Sequence, residues 1–515
     1  MNHYDAIVVG GGVAGLTSAA FLIKYGYHTL LVEKEATLGG LVGTFNDQGF
    51  SFDKGIRAIE NSGIVLPMLK SLGIDIDFLP NPVAIGFKDE WVKITSKASL
   101  SAYCKVLAHH FPTEVEAIEK IAGEIVRVMD YMDVIYGIDN PLFLDIQDIK
   151  YIFNTLLPWL AKYNKSMKKV KEFNGDVNTY LKQFTSNQAL IDMITQHFFK
   201  ATPAFFALSY FGFYADYMYP AGGTGAIVEA LTNYITSNGG AILTKTKIQS
   251  IDSVLHIITD TKDETFHYRK LVWAANQKSL YSQLLLAPKN SLKQKEMVMS
   301  AHGSDSILTC FLGLDVAGSF FDKMPGVHAF YTPATVGLSS LPSWRDAPNL
   351  TKWVEAYLAN TTYEISVPSL RDPSLAPMGH SSLIVSTLFD YELAKQFKDP
   401  KKYDDFKAWC LNQIIKTLDE GAFKGLAEHV VYKSCSTPLT IEARTGNADG
   451  AITGWSFLNK IVPSEHRFKK IRNSIYTPIQ DVLQCGQWTF SPAGFPVSIL
   501  TGKLTADFIR KRLKK

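Results

Sequence analysis

The stretch Tyr4–Glu33, YDAIVVGGGVAGLTSAAFLIKYGYHTLLVE, constrains this chain more than any other. Its β-branched run Ala6-Ile7-Val8-Val9 reads as a buried parallel strand. Gly10, Gly12 and Gly15 follow in GxGxxG spacing, and Val13–Tyr25 then has a helical pattern that Gly26 is placed to stop. His28–Glu33 is the next strand, ending in an acid. Each part answers a physical need. Gly10 allows a tight turn, Gly12 lets backbone approach a pyrophosphate, and Gly15 lets helix and strand pack closely. The helix N-terminus offers unpaired N–H groups and a partial positive charge to phosphates. Glu33 can accept hydrogen bonds from an adenosine ribose, and its charge repels a 2′-phosphate, which disfavours NADP. Strand, glycine turn, helix and acid together predict a dinucleotide site. Ala6–Ile23 carries no charge and is long enough to raise a membrane span, but the glycine triplet Gly10-Gly11-Gly12 would weaken such a helix in its middle. No basic leader or small-residue cleavage site accompanies it.

At 515 residues the chain is expected to form two or more domains. A net charge of +3 leaves no footprint for nucleic acid. The five cysteines, Cys104, Cys310, Cys410, Cys435 and Cys485, show neither CxxC nor metal-ligand spacing, so no metal site is expected. Such scattered thiols suit a reducing, cytoplasmic setting.

Further along, Leu38-Gly39-Gly40-Leu41 and the strand-like Phe50-Ser51-Phe52 before Asp53-Lys54-Gly55 place glycines where backbone can meet a bulky ligand. Ile64–Leu72 reads as a helix ended by Gly73. Residues 100–200 are largely helical by pattern, with Thr113 and Glu116 as a capping pair for a helix Glu114–Met132. In Tyr151–Tyr163, Pro158 should kink or end the helix. This apolar, aromatic segment runs into Lys162, Lys165, Lys168, Lys169 and Lys171, which suits either a buried helix with a solvated face or docking on an acidic membrane surface. Thr202–Pro220 is dense in aromatic residues and reads as a core helix or the wall of an apolar tunnel. The helix Ala226–Ser237 and core strand Lys270–Ala275 resume the first sheet, while Ile307–Leu314 and Ser382–Leu388 alternate as strands of a second domain. Lys395–Asp405 and Pro368–Pro377 read as loops, and His197 and His302 as ordinary polar positions. Asp481–Cys485 is a short strand, followed by Gly486-Gln487 and a helix from about Val497 into the basic tail Arg510–Lys515. Gly502 inside that helix suggests close packing.

With these pieces in order, the chain resembles the phytoene desaturase-like flavoproteins, which include carotenoid desaturases and isomerases and retinol saturase within the amine-oxidase-like flavoproteins. The likeness runs almost end to end. It is strongest in VVGGGVAGLTSAAFLIKYGYHTLLVEKEATLGG, GFSFDKGI, YPAGGTGAIVEAL, STPLTIEARTGNADGAITGW and LQCGQWTFSPAGFPVSILTGKLTA. The fold implied is α/β: a Rossmann-type FAD-binding domain (1–75, 218–290 and 430–515) with an inserted mixed α+β substrate domain (76–217 and 291–429, helical over 100–217). The resemblance implies that Gly10, Gly12, Gly15 and Glu33 hold the adenosine and pyrophosphate of FAD and that Gly39 and Gly40 flank the phosphates. Gly486 and Gln487 would lie near the ribityl chain, with the Ala493–Pro496 turn (Gly494, Phe495, Pro496) under the flavin pyrimidine. Val13, Ala14, Lys34 and Leu41 complete the cofactor-binding set. Leu41 stands where relatives often carry Arg, and Gln487 where many carry an acid.

The resemblance implies an FAD-dependent oxidoreductase acting on C–C bonds of an apolar unsaturated substrate, such as a polyene or isoprenoid, by hydride exchange with flavin N5. A cis–trans isomerase and an amine oxidase are the alternative enzymes. A non-enzymatic carrier of prenylated protein predicts eroded glycines, whereas Gly10, Gly12 and Gly15 are intact. Flavin chemistry asks the protein mainly for positioning and exclusion of water. Lys54, Arg57, Glu442 and Arg444 are the candidates for an assisting polar group. The expected partner is a small apolar substrate, without nucleic acid, in a cytoplasmic protein that touches the membrane surface.

Overall fold

The computed structural model describes residues 3–144 and 149–513. Of the basic tail, Lys514 and Lys515 lie outside them. The strand His3–Val9 is buried from Ala6 onward and sits at the centre of a seven-stranded sheet among the described residues. It pairs in parallel with Thr29–Val32 on one side, Ala6 opposite Thr29, and with Thr265–Trp273 on the other, Val9 opposite Trp273. Ala241–Leu243 extends one edge in parallel, and Val482–Gln484 pairs in parallel with Leu271–Trp273. Buried on both faces, these strands carry the continuous apolar runs that parallel sheets require. Ile248–Asp252 and Ile257–Asp260 add the antiparallel meander.

The helix Val13–Lys24 packs under this sheet against the last helix, Phe495–Arg512. Gly502 makes that contact: a Cβ there would sit 2.4 Å from the Ala14 carbonyl oxygen. The glycine that weakens the last helix is thus what lets the first helix lie against it. Helix 495–512 starts two residues earlier than the sequence suggests, with Pro496 in its first turn.

A second seven-stranded sheet orders the strands Val430–Ser436, Ser306–Leu314, Ser381–Phe389, Tyr363–Ser366, His328–Thr332, Val83–Phe87 and Glu90–Ile94. Ser306–Leu314 and Ser381–Phe389 pair antiparallel along their full length, as their alternation implies. Strand pairing shifts one boundary. Val430–Ser436 lies beside Ser306–Leu314, so the chain returns to the first layer near residue 437 rather than 430. A helical layer, including Ser99–His110, Val115–Ile135 and Ala204–Ala215, closes over the end of this sheet.

Local expectations differ at four further places. Pro368–Pro377 is not a plain loop, because prolines at the first helical positions start short turns at Pro368–Arg371 and Pro373–Leu375. A 3-10 turn, Pro112–Glu114, precedes Val115–Ile135, and no side chain caps that helix, so Thr113 and Glu116 form no capping box. Pro158 does not end its helix. A π-turn at Ile152–Leu156 absorbs the irregularity and places Pro158 in the first turn of Leu157–Lys169, where a missing N–H costs nothing. Residues 395–405 are not one loop, because Asp399 caps a helix from Pro400 to Glu420, an Asp–Pro start signal that the hydrophilic composition hid.

Candidate active site

The glycine turn after Val9 meets the protein in three different ways. A Cβ on Gly10, at φ +110°, would lie 2.7 Å from the Ala274 carbonyl oxygen, and one on Gly15 would lie 1.9 Å from that of Gly10. Both glycines are demanded by the fold. Gly12 is not: its φ of −70° suits any residue, and a Cβ there meets nothing within 4 Å. It faces a cavity of about 660 Å³, within the range of ligand pockets, ~300–1,000 Å³. No side chain caps the helix that begins at Val13, so its first-turn N–H groups point to this space. At its edge Glu33 accepts from the N–H of Gly11 (Oε2, 2.7 Å) and of Glu35 (Oε1, 2.9 Å), which fixes the carboxylate beside the turn. An open Gly12, an uncapped helix and a fixed acid fit the pyrophosphate and ribose of a dinucleotide.

The same cavity continues past Gly39, Gly40, Leu41, Lys54, Arg57, Arg444, Gly486 and Gln487 to the N-terminus of the last helix at Gly494, Phe495 and Ser498. That helix too lacks a side-chain cap. Two sequence segments are bound together here by Asp53, which is fully buried. It accepts from the Thr224 N–H and hydroxyl (both 2.9 Å), from Tyr219 (2.7 Å) and from Thr44 (3.1 Å). Asp53 thereby ties the FSFDKG strand to the YPAGGTG turn and sends Lys54–Glu60 along the cavity wall. Gly55 packs against Leu41, whose carbonyl oxygen would be 2.2 Å from a Cβ.

Beyond this point the lining turns aromatic. Phe206, Tyr210 and Tyr214 recur every four residues on one face of Ala204–Ala215, while Ala207, Leu208 and Phe211 are buried in the core. The segment is both core helix and tunnel wall. Phe198, Tyr217 and Phe330 complete the wall. Set into it is a polar cluster: Arg57, 2% exposed, donates to Glu364 (2.7 Å) and Ser386 (2.5 Å), and His328 Nε2 lies 3.2 Å from Glu364. Burial alone would raise the Glu364 carboxyl, but the charge of Arg57 and the His328 contact more than offset it and hold Glu364 at about 2. Burial lowers His328. It also pushes His197 down to about 4, against the opposing charge of Glu364, and His197 Nε2 stands 3.2 Å from the Tyr214 hydroxyl.

Of the residues singled out from sequence, the structure brings Gly10, Gly12, Val13, Ala14, Glu33, Gly39, Gly40, Leu41, Lys54, Arg57, Arg444, Gly486, Gln487, Gly494 and Phe495 to one cavity. Burial lowers Lys54, with nearby Arg444 adding to the effect, and its Nζ donates to Thr37 (3.3 Å). Gly15 lies behind the turn and Pro496 lines a second, adjoining cavity. Two more residues, like Gly15, sit off the lining. Lys34 donates to Glu35 (2.9 Å) and to the Arg444 carbonyl (2.9 Å) at the end of helix Pro438–Thr445, and Glu442 accepts from Tyr391 (2.6 Å). His302 is an ordinary polar position, but His197 is a cavity residue, because helix 188–195 ends where the tunnel begins. Sequence gave no signal for Glu60, His328 or Glu364, which line the same space from three separate segments.

The fold and this cavity define an α/β protein with a Rossmann-like dinucleotide-binding domain. Residues 8–72 match the model of the NAD(P)-binding Rossmann-like domain. Prolycopene isomerase 1, chloroplastic, from an Oncidium hybrid cultivar is 25% identical over 466 residues, covering 85% of this chain and 73% of the relative. All-trans-retinol 13,14-reductase of Danio rerio is 24% identical over 551 residues, covering 98% and 85%. Putrescine oxidase bound to putrescine has the same fold, with a TM-score of 0.61 at 12% identity over 99% of both chains. The chain is thus similar, over most of its length, to a carotenoid isomerase and a retinol reductase, and is an oxidoreductase with a flavin-type cofactor. No described helix is long and apolar enough to cross a membrane.

Proposed function

We propose that this protein is an FAD-dependent oxidoreductase that exchanges a hydride with a C–C bond of an apolar unsaturated substrate, a polyene or isoprenoid lipid. One observation carries the reading: a single cavity joins the open Gly12 turn and Glu33 to the aromatic wall of Phe206, Tyr210, Tyr214 and Phe330. When bound, FAD supplies the hydride chemistry, which requires no nucleophile from the protein. Gly12, Val13 and Ala14 would hold the pyrophosphate and Glu33 the ribose. The helix beginning at Phe495 directs its positive end into the cavity, where it would favour an anionic group of the bound cofactor. The aromatic wall holds the extended substrate and keeps water out. Arg57 acts from within its ion pair with Glu364, as a fixed positive charge behind the wall.

Membrane contact belongs to the same reading. Ile149, Phe153, Leu157 and Leu160 stand 68, 64, 46 and 37% exposed along one face of the helix from Ile149 to Lys169. Trp159 and Tyr163 of that helix wall the second cavity, and exposed Lys162, Lys165 and Lys168 follow. An apolar ridge edged with lysines beside the second cavity suits an anionic bilayer from which a lipid enters.

The test is an absorbance spectrum of purified protein, followed by anaerobic titration with a polyene and with an amine. A flavin spectrum bleached by the polyene, or a pre-reduced enzyme re-oxidised by it, is the expected result. Bleaching by an amine alone would transfer the protein to amine oxidation. Absence of flavin after reconstitution with FAD would end the reading.

A further inference from the structure

Two cavities meet at Glu60. It lines the main cavity of about 660 Å³ and an adjoining one of about 170 Å³, together with Phe206, Tyr210, Ala493 and Gly494. The wall of the smaller cavity is mostly apolar, with Ile64, Ile135, Trp159, Phe213, Val497 and Leu500 in it, and its other polar side chains, among them Ser62, Asn140 and Ser209, are uncharged. The groups facing Glu60 are the hydroxyls of Tyr136, Tyr210 and Tyr217, with Tyr163 and Asn140 across the smaller cavity. Among the described residues no cation pairs with it, and its own backbone N–H is its one partner.

We propose that Glu60 is the proton-exchanging group of this cavity, handing a proton to, or taking one from, the substrate carbon next to the one that exchanges hydride. The proposal rests on the oxidoreductase reading above. Saturating a C=C bond requires a hydride at one carbon and a proton at its neighbour. With hydride delivered from the reduced cofactor, the O–H bond of Glu60 breaks and a C–H bond forms at the neighbouring carbon; once the product has left, a proton from solvent restores the carboxylic acid. In the desaturating direction the carboxylate accepts the proton as the hydride leaves.

Elimination favours Glu60 over its neighbours. Glu364 is held ionised by Arg57, and burial keeps His197 neutral down to about 4. Burial raises the tyrosines Tyr136, Tyr210, Tyr214 and Tyr217 far above neutrality, so they neither lose nor gain protons there. Burial raises Glu60 to about 7, against the pull of its backbone N–H, which is where an acid–base group works best.

The experiment uses the full chain reconstituted with FAD, a polyene substrate, and the variants Glu60→Gln and Glu60→Asp. General acid–base catalysis contributes ~10²–10⁴-fold, so Glu60→Gln should lower kcat by at least ~10²-fold with KM little changed. The wild-type kcat should bend near pH 7, and that bend should vanish in Glu60→Gln and persist, shifted, in Glu60→Asp. A second readout needs no turnover: in flavin-free protein, infrared spectroscopy should show a carboxylic acid carbonyl band that titrates near pH 7 and is missing from Glu60→Gln. If wild type turns over the polyene while Glu60→Gln keeps its kcat and its pH bend, the proposal falls and the oxidoreductase reading stands. A raised KM with kcat and the bend intact overturns it as well, and leaves Glu60 as a binding contact. If wild-type protein with bound flavin reacts with no apolar alkene, the oxidoreductase reading fails, and this proposal with it.

Discussion

Gly12→Ala tests the dinucleotide assignment most directly, because the added methyl touches nothing in the protein. Gly12 has φ −70° and ψ 172°, ordinary extended backbone, and no atom lies within 4 Å of a Cβ built there. Folding should therefore be unaffected, and the melting curve of the flavin-free variant should overlay wild type. The methyl projects where the pyrophosphate would approach the backbone. Forcing one extra carbon into a fitted contact costs ~1–3 kcal/mol, which is a ~5–150-fold weaker FAD affinity. The companion Gly15→Ala behaves in the opposite way. Its Cβ would be 1.9 Å from the Gly10 carbonyl oxygen, so the strand and helix must part, and stability falls before any ligand is added. Flavin fluorescence titration measures the affinities, and thermal unfolding without flavin measures the fold. Wild-type FAD affinity in Gly12→Ala would refute the reasoning, since the space over Gly12 would then hold no part of the cofactor.

Three further outcomes follow from other contacts. Glu364→Gln leaves Arg57 buried beside a neutral group. A carboxyl at about 2 against an ordinary 4.5 is worth ~3 kcal/mol, trimmed because 32% of the side chain opens to the cavity, so the loss should be about 2–3 kcal/mol by denaturant unfolding at pH 7. Because the folded-state value is depressed, this stability is complete above pH 4.5 and disappears as pH falls through about 2, and the gap between variant and wild type should close over that window. Gly502→Ala sets helix propensity, worth ~1 kcal/mol in its favour, against a Cβ 2.4 Å from the Ala14 carbonyl oxygen. The clash, ~1–3 kcal/mol or more, should win, and a rise in Tm would contradict the packing described. Phe153→Glu combined with Leu157→Glu should abolish co-flotation with anionic vesicles while leaving the melting temperature unchanged, since both side chains are exposed. Retained flotation would remove the ridge from the membrane reading.

Local chemistry was written in the chain where one short segment supplies everything the site needs. The Tyr4–Glu33 unit is such a case: strand, turn, helix and acid are consecutive, so period, glycine spacing and one carboxylate suffice to specify an open turn with a fixed acid at the edge of a cavity. The aromatic face of 204–215 and the tight seat of Gly502 were legible for the same reason, as properties of single helices. The break expected at Pro158 was misplaced because a π-turn five residues long can absorb what propensity counts as a helix end. What only the tertiary structure decided is the far half of the cavity. Arg57, His328 and Glu364 come from three segments and become one cluster only when two strands of the second sheet pair and the loop after Phe50–Asp53 is laid against them, since ion pairing depends on distance in space and not along the chain. The same holds for Glu60. In sequence it is one acid among many, and it acquires its character from the apolar walls that separate segments fold around it, because a carboxyl is perturbed by the water it loses.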